Sequence, residues 1–332
     1  MQSNEQLIAL LNQSDSVSGT DIGAALGVSR AAVQKRIQLL VANGLPIKAS
    51  SGKGYTLDRE ITLLSEVAIK SALLSPLIQS VEVLQSVEST NSHLLQQDII
   101  NGRAKLCVAE SQVSGRGRRG NDWQSAPYRN VMLSLSWGFD HWPETITGLG
   151  LAVSLVVAEY LNDFILPVVD DEKKPSLVQI KWPNDLMVNG DKLGGILIDV
   201  AGESSGACNV IVGIGLNVHQ PDWSGEGGYR WQDLHGLGVA PDRNRLIAGL
   251  SSALVVMLDE FSRTGFEPLA TRWNELSSYV DRRIRVGNTD GFIEGVMHGV
   301  DSIGALLLVD DQGRIQRITD SNVSVRLISH GG

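Results

Sequence analysis

Between residues 111 and 123 the chain runs Ser111-Gln112-Val113-Ser114-Gly115-Arg116-Gly117-Arg118-Arg119-Gly120-Asn121-Asp122-Trp123. Three glycines and three arginines fill the six positions Gly115 to Gly120, with Trp123 close behind. Glycine permits positive φ and close approach of backbone to a ligand, and the planar fork of arginine suits phosphate and carboxylate. A loop of this composition is expected to be mobile when empty and to order around an anion. The spacing Gly115-x-Gly117-x-x-Gly120 also fits the dinucleotide fingerprint, and Lys105–Glu110 before it reads as a strand. That fingerprint needs a helix N-terminus under the pyrophosphate. Asn121–Pro127 lacks helical periodicity and ends at a proline, so no such helix is offered. No Gly-Lys-Ser/Thr closes the loop as Walker A requires, and the His-Arg-Asp and Asp-Phe-Gly stretches of a kinase are absent. A basic surface loop is the plain alternative on this segment alone.

The whole chain sets further bounds. Its 332 residues suggest two or three domains with ample core. A net charge of −9 argues against attraction of the whole molecule to nucleic acid or membrane. Cys107 and Cys208 lie far apart without metal-ligand spacing, which suggests no disulfide and favours a reducing cytoplasm. None of the six histidines has metal-ligand spacing either, so no tight structural metal is expected. The run Leu7–Leu11 is too short for a signal peptide and follows no basic segment. The most apolar window, Leu149–Leu161, carries Ser154 and Glu159 and falls short of a membrane span. A soluble protein without a membrane partner is expected.

The first 58 residues have their own logic. Glu5–Asn12 reads as a short amphipathic helix, and Thr20 can cap a second that Gly27 stops. Ser29 can cap a third through about Asn43, with Val33, Ile37 and Leu40 on one face. Arg30, Gln34 and Gln38 lie along another face with Lys35 beside them, the pattern of a helix-turn-helix. Pro46–Ala49 and Tyr55–Leu57 can pair around Ser50–Gly54 as a wing that carries Lys53. Residues 1–58 are net +1, the remainder −10, and no acid interrupts the span from Arg30 to Lys53 that holds all five bases. A local basic face on an acidic protein is what phosphate contact requires, and Ser29, Arg30, Gln34, Lys35, Gln38 and Lys53 are the candidate DNA-binding residues. A generic helical subdomain with a solvated basic face is the alternative.

Asp58–Thr62 reads as a linker and Ser65–Leu74 as a helix. Val81–Val87 alternates like a strand, and Glu88-Ser89-Thr90-Asn91-Ser92 leads into a helix through Ile99. Ser89 or Thr90 serves as an N-cap, while hydroxyls and an amide where strand meets helix can also hydrogen-bond a small polar head group. Asn130–Trp137 is a further strand and Thr145–Phe164 a long apolar helix. The buried-looking strand Leu177–Ile180 ends in Lys181-Trp182-Pro183-Asn184-Asp185, and burying an ammonium is costly unless an anion compensates it. Asn189-Gly190 makes a hairpin turn into Leu193–Ile198, where the pair Gly194-Gly195 marks close approach of a ligand or another backbone. Val210–Val218 is an apolar strand ending near Asn217; His219–Gly238 reads as a loop, and helices cover Asp242–Arg263 and Phe266–Leu276.

Gly-Arg-Gly-Arg-Arg-Gly at 115–120, Lys-Trp-Pro-Asn-Asp at 181–185 and Gly-Gly-Ile-Leu at 194–197, in this order, resemble the biotin–protein ligases. The added winged helix around Ser29-Arg30-Ala31-Ala32 is similar to the bifunctional bacterial branch, which also represses biotin synthesis genes. The resemblance covers nearly the whole chain. It implies an α/β multidomain fold: a winged helix-turn-helix over 1–60, a mixed α/β catalytic domain over 63–277, and an SH3-like barrel over 278–330. The last fits Arg283–Leu327, whose short alternating strands are broken by glycines.

The implied chemistry is ATP-dependent. Biotin's carboxylate attacks the α-phosphate to give biotinyl-5′-AMP and pyrophosphate, and a lysine of a biotin carboxyl carrier protein then takes the acyl group. Joining two anions calls for charge neutralisation and positioning rather than a protein nucleophile. By resemblance Ser89, Thr90, Asn91, Gln112, Arg116, Gly117, Arg118, Lys181 and Gly195 meet biotin, with Lys181, Arg116 and Arg118 carrying catalysis. Arg119, Trp123, Asn217 and Trp231 would hold the adenylate. Mg²⁺ is expected with ATP; operator DNA and a homodimer in the adenylate-bound state are the expected partners. A lipoate–protein ligase shares the fold and chemistry but would carry neither this arginine loop nor the winged helix. A repressor that only senses a ligand is the non-enzymatic alternative.

Overall fold

The computed structural model describes residues 2–13, 16–42, 44–57, 61–140, 146–165, 178–202, 207–219, 230–288, 291–320 and 322–328. Residues 169–175, residues 58–60 of the expected linker and residues 220–229 of the expected loop lie outside the described residues.

Three helices, α1 (Gln2–Asn12), α2 (Gly19–Leu26) and α3 (Arg30–Ala42), precede a hairpin of β1 (Ile47–Ser50) and β2 (Gly54–Leu57), in register Ile47↔Leu57. This is the expected helix-turn-helix with a wing. Ser18, not Thr20, caps α2: its hydroxyl accepts from the amide of Asp21 at 3.1 Å, and the helix already begins at Gly19, which places Thr20 inside the first turn. Gly27 ends α2 in left-handed conformation at φ 66, and the Ser29 hydroxyl accepts from the Ala32 amide at 3.2 Å to open α3. Leu7, Ile8, Leu11, Ile22, Val33, Ile37 and Leu40 form the core of this unit.

Seven described strands make the central sheet, in spatial order β3-β4-β5-β9-β8-β7-β6. They are β3 (Ile78–Leu84), β4 (Ala104–Ala109), β5 (Val131–Phe139), β6 (Gln179–Lys181), β7 (Asp185–Val188), β8 (Asp191–Gly202) and β9 (Cys208–Leu216). Only the β3–β4 pair is parallel. Helices α4 (Glu66–Ala72), α6 (Leu149–Ile165), α7 (Arg243–Thr264) and α8 (Ala270–Leu276) join the large apolar core, while the short α5 (Thr90–Leu95) buries Leu94 against Cys107 and Ile211. Helix α5 stops four residues before the expected Ile99, and α6 starts at Leu149 after a short 3₁₀ turn at Ile146–Gly148. The expected helix Phe266–Leu276 is likewise a 3₁₀ turn, Glu267–Leu269, followed by α8.

Strand alternation decides what each face carries. Leu133, Leu135, Val212 and Ile214 point into the large core. Ser134 is paired with Gly213 and Gly213 with Leu197; Gly215 with Gly195; Ile211 with Asp199. Residues directly opposite share a face, so Ser134, Gly213, Gly215, Gly195 and Asp199 all lie on the opposite side, the α5 side. Gly195 is flanked on both sides, by Gly215 and by Asp185, so it is not at a sheet edge. Among the described residues, pairing on the β7 side ends at Ile196, whose amide donates to Asn184 O, and Ile198–Gly202 has β9 as its one neighbour.

The last unit is an antiparallel five-stranded sheet of β10 (Arg283–Asn288), β11 (Gly291–Val300), β12 (Leu306–Val309), β13 (Ile315–Ile318) and β14 (Ser324–Leu327). Its Ile284, Val286, Met297 and Leu306 join the large apolar core of the central sheet, and Trp182 Nε1 donates to Gly304 O at 3.3 Å.

A buried ion pair ties the segment after the winged helix to the central sheet. Glu110, fully buried at the end of β4, accepts from Arg243 Nη1 at 2.8 Å and from the Leu64 amide at 2.7 Å. Arg243 Nη2 donates to Thr62 O at 2.7 Å, and Asn244 exchanges hydrogen bonds with Leu63 and Ser65. The described end of the expected linker is therefore fixed. Tyr128 adds a second tie, because its side chain belongs to the winged-helix core together with Ile61.

Candidate active site

Ser89, extended at φ −153, caps α5 by accepting from the Ser92 amide, so the first turn of α5 presents Thr90 and Asn91 to the sheet. All three are buried. Asn91 can lie flat on β9 only because residue 213 is glycine: a β-carbon there would overlap Asn91 Oδ1 and stand 3.0 Å from Nδ2. Its Nδ2 donates to Asp199 Oδ2 at 2.8 Å. Ser134 Oγ lies 2.5 Å from Asn91 Oδ1 and 2.7 Å from Thr90 Oγ1, and Thr90 donates through both its amide (2.8 Å) and its hydroxyl (3.0 Å) to Gln112 Oε1.

This chain of contacts can be counted in protons. Gln112 Oε1 and Asn91 Oδ1 only accept, and each hydroxyl has one proton to give. Three oxygen–oxygen contacts therefore share two protons, leaving the cluster with one acceptor more than it has donors. A ligand group that brings N–H donors complements it.

The glycine–arginine loop lies over this floor. Its stem runs beside residues 87 and 88, with Val113 and Ser114 amides donating to Val87 O and Glu88 O. Its tip folds back through the Trp123 amide to Gly115 O and the Gly117 amide to Asn121 O. Arg116 Nη2 reaches Asp199 Oδ2 at 2.5 Å, and Arg118 Nη1 donates to Asn184 Oδ1 at 3.3 Å. Burial pulls the Arg118 guanidinium down from its ordinary value and the charge of Asp185 pulls it up, so a positive charge is held in a partly desolvated place. Gly117 is the turn before Arg118, while Arg119 is exposed in left-handed backbone at φ 60.

Beyond the loop two ammoniums share one carboxylate. Lys181 Nζ lies 3.5 Å from Asp185 Oδ2, and Lys192 Nζ lies 2.5 Å from Asp185 Oδ1. Lys192 also sits against two indoles, 5.6 Å from the Trp123 ring and 6.0 Å from that of Trp231, which meet edge to face. Trp123 lies directly on Gly215, where a β-carbon would overlap the ring, and its Nε1 is buried without a hydrogen-bond partner. Asn217 is fully buried and donates to Gln232 O at 3.2 Å, while its Oδ1 is unpartnered. Residues 89–91, 112–118, 123, 181, 195, 217 and 231 thus gather around one face of the sheet. No thiol competes as a nucleophile, since burial, with Glu82 nearby, pushes Cys107 up to about 12, and burial also raises Cys208.

Residues 83–217 match the Biotin/lipoate A/B protein ligase family, and residues 4–56 match an HTH domain. The Bifunctional ligase/repressor BirA of Salmonella typhimurium is 36% identical over 326 residues, 96% of each chain. The protein of the same name from Bacillus subtilis is 29% identical, over 97% of this chain and 98% of that one. The chain belongs to the bifunctional biotin ligase/repressor family. In fold it is similar to the biotin protein ligase from Aquifex aeolicus solved with biotin and ATP, with a TM-score of 0.64 over 75% of this chain and 100% of that chain, at 24% identity.

For a ligase/repressor of this family, sequence reasoning passed over Ser134, Lys192 and Asp199; it noted Asn184 and Asp185 in the motif after Lys181, and Gly213 and Gly215 in the strand before Asn217, without giving them a contact. One signal was available. Val131–Phe139 is buried along its whole length, and serines in phase on one buried face of such a strand need polar partners. On the winged helix Ser29, Arg30, Gln34, Lys35 and Gln38 are all exposed along α3, and Lys53 is exposed at the wing tip.

Proposed function

We propose that the chain is an ATP-dependent biotin–protein ligase and a transcriptional repressor of biotin synthesis genes with biotinyl-5′-AMP as corepressor. The observation that carries the ligase reading is the acceptor-rich chain Gln112–Thr90–Ser134–Asn91 next to a pair of lysines. Biotin's ureido ring brings the N–H donors that this chain lacks. The dithiolane of lipoate brings none, which favours biotin over the lipoate–protein ligase alternative.

In the first step the biotin carboxylate attacks the α-phosphate of ATP and pyrophosphate leaves. Arg116, Arg118 and Lys181 neutralise the two anions, and Lys192 stands where a second ammonium serves the same end. Mg²⁺ bound with ATP would supply further neutralisation of phosphate charge. Asp185 is the carboxylate that would face it, and among the described residues no cluster of three or more His, Cys, Asp or Glu could hold a metal. In the second step a lysine amine of the biotin carboxyl carrier protein attacks the acyl carbon and AMP leaves. The mixed anhydride hydrolyses readily, so Gly115–Gly120 closing over Ser89, Thr90, Asn91 and Gln112 excludes water. Trp123, Arg119, Trp231 and Asn217 shelter the nucleotide, and the unpartnered Asn217 Oδ1 and Trp123 Nε1 supply one acceptor and one donor there.

The units are a winged helix over 1–60, a catalytic domain over 63–277 and an SH3-like barrel over 278–330. The antiparallel order β13-β12-β11-β10-β14, with a bulge between Met297 and Gly299, supports the barrel. No described helix is long and apolar enough to cross a membrane, and a cytoplasmic location accords with two buried thiols. A ligand-sensing repressor without ligase activity would have no use for two lysines on one carboxylate. ATP–pyrophosphate exchange decides the matter: exchange driven by biotin and not by lipoate is expected, and exchange driven by neither removes the enzymatic reading.

A further inference from the structure

One oxygen of Asp199 receives two donors from different parts of the site. Its Oδ2 accepts from Arg116 Nη2 on the loop at 2.5 Å and from Asn91 Nδ2 on α5 at 2.8 Å. The two ends of the loop are thereby joined through the floor: Gln112 to Thr90, Thr90 to Ser134, Ser134 to Asn91, Asn91 to Asp199, and Asp199 to Arg116. A carboxylate can only accept, so it also decides which way the Asn91 amide faces. With Nδ2 committed to Asp199, Oδ1 must face Ser134, and the excess of acceptors that suits a ureido ring follows from that orientation.

From this circuit we infer that Asp199 is a positioning residue for the ligase reaction. It latches the glycine–arginine loop in its closed arrangement and fixes the hydrogen-bonding polarity of the head-group pocket. The inference rests on the biotin–protein ligase reading and deepens it. Asp199 touches neither of the reacting atoms' partners Lys181 and Lys192; it acts through Arg116 and Asn91. The Arg116 side chain is 41% exposed, so the ion pair alone is worth little. The effect comes from one carboxylate holding two groups that must be correct together. Asp199→Asn keeps the shape, but its amide can present either oxygen or nitrogen, so neither Arg116 nor the Asn91 orientation is enforced.

The full-length protein is compared with Asp199→Asn, Asp199→Glu, Arg116→Gln and the double variant Arg116→Gln/Asp199→Asn. Three readouts are taken: biotin-dependent pyrophosphate exchange, the rate at which preformed adenylate is lost, and trypsin cleavage after Arg116, Arg118 and Arg119 without ligand. Asp199→Asn should raise the biotin KM and speed adenylate loss by about tenfold each, with kcat changed less than about threefold, and Asp199→Glu should recover part of the loss. Trypsin should cut the Asp199→Asn loop severalfold faster. Because both partners serve one latch, the double variant should lose adenylate no more than about twofold faster than Arg116→Gln. Unchanged KM, adenylate lifetime and cleavage in Asp199→Asn overturn the latch while wild-type exchange with biotin leaves the ligase reading intact. Full additivity in the double variant also overturns it. Absence of biotin-dependent exchange in the wild type overturns both. Should Asp199→Asn melt early, Arg116→Gln, which breaks the same pair from the exposed side, must still show faster cleavage and adenylate loss, or the latch is wrong.

Discussion

Gly44 and Pro127 are packed so closely that a β-carbon at position 44 would stand 2.7 Å from Pro127 Cγ. Gly44 belongs to the winged helix, and Pro127 to the segment that leaves the ligand loop. The next residue, Tyr128, stands in left-handed backbone at φ 62, a costly place for a side chain bearing a β-carbon, with its amide donating to Glu110 O at 2.9 Å and its ring buried in the winged-helix core. The ligand loop is therefore anchored at its far end in the DNA-binding unit.

Removing residues 1–62 should abolish DNA binding and leave adenylate formation in place, since every candidate ligand contact lies later in the chain. It should also raise the biotin KM by about tenfold, because uncovering Tyr128 loosens the loop and lowers the fraction poised to bind. Gel shift and pyrophosphate exchange on the truncated protein check both parts. An unchanged KM would show that Tyr128 anchors nothing of consequence.

Lys181→Met should slow adenylate formation by roughly a hundredfold or more, the scale of one electrostatic donor lost from a water-poor site. The fold should tolerate it, because Lys192 still compensates Asp185 at 2.5 Å. Lys192→Met removes the ammonium that faces the two indoles, and it should be at least as damaging. Single-turnover adenylate formation separates the two; a near-normal rate in either variant takes that lysine out of the chemistry.

Much of this arrangement was legible before the structure. Gly115–Gly120 and Lys181–Asp185 stand out, because clustered glycines and a lysine ending an apolar strand have few structural uses, whereas Ser89–Asn91 reads in the first place as the helix cap that Ser89 also is. Ser134, Asp199 and Gly213 do not stand out. Each is ordinary within its own strand and gains meaning only from register, when Ser134 pairs with Gly213 and Asp199 with Ile211 on neighbouring strands. Lys192 was hidden for a similar reason: two residues past a hairpin turn, it reads as solvated surface until β7 brings Asp185 beside it. Thr20 failed as a cap because Ser18, two residues earlier, starts the helix and caps the Asp21 amide.

Gly213 lies under Asn91 and Gly215 under Trp123, so on the proposed placement the two glycines serve different halves of the ligand. Gly213→Ala would force Asn91 off the sheet, raising the biotin KM by about tenfold or more while ATP binding changes little. Gly215→Ala would push the Trp123 ring away instead, shortening the lifetime of bound adenylate with a smaller effect on biotin alone. Isothermal titration with each ligand and adenylate hydrolysis rates distinguish them. The same profile from both substitutions would mean that the floor is not divided this way.

The two activities can be linked through β8. One winged helix, with five basic residues before position 58, should hold DNA weakly, whereas two copies fixed in a dimer gain through effective concentration and match a two-fold operator. Residues Ile198–Gly202 of β8, with β9 as their one described neighbour, offer a strand edge to a second copy. Asp199 within that segment is the residue that Arg116 grips, so ordering the loop around the adenylate orders the edge too and reduces the entropic cost of pairing. Abundant unmodified carrier protein would consume the adenylate and leave a monomeric ligase; scarce carrier would leave a dimeric repressor. Sedimentation and operator binding should therefore show dimers and tight binding with biotin plus ATP, weaker association with biotin alone, and least with neither. Val200→Pro, which withdraws a backbone donor in the segment, should reduce dimerisation with biotin plus ATP while adenylate formation continues. Equal dimerisation in all three conditions would refute the switch, and full dimerisation by Val200→Pro would move the interface off this edge.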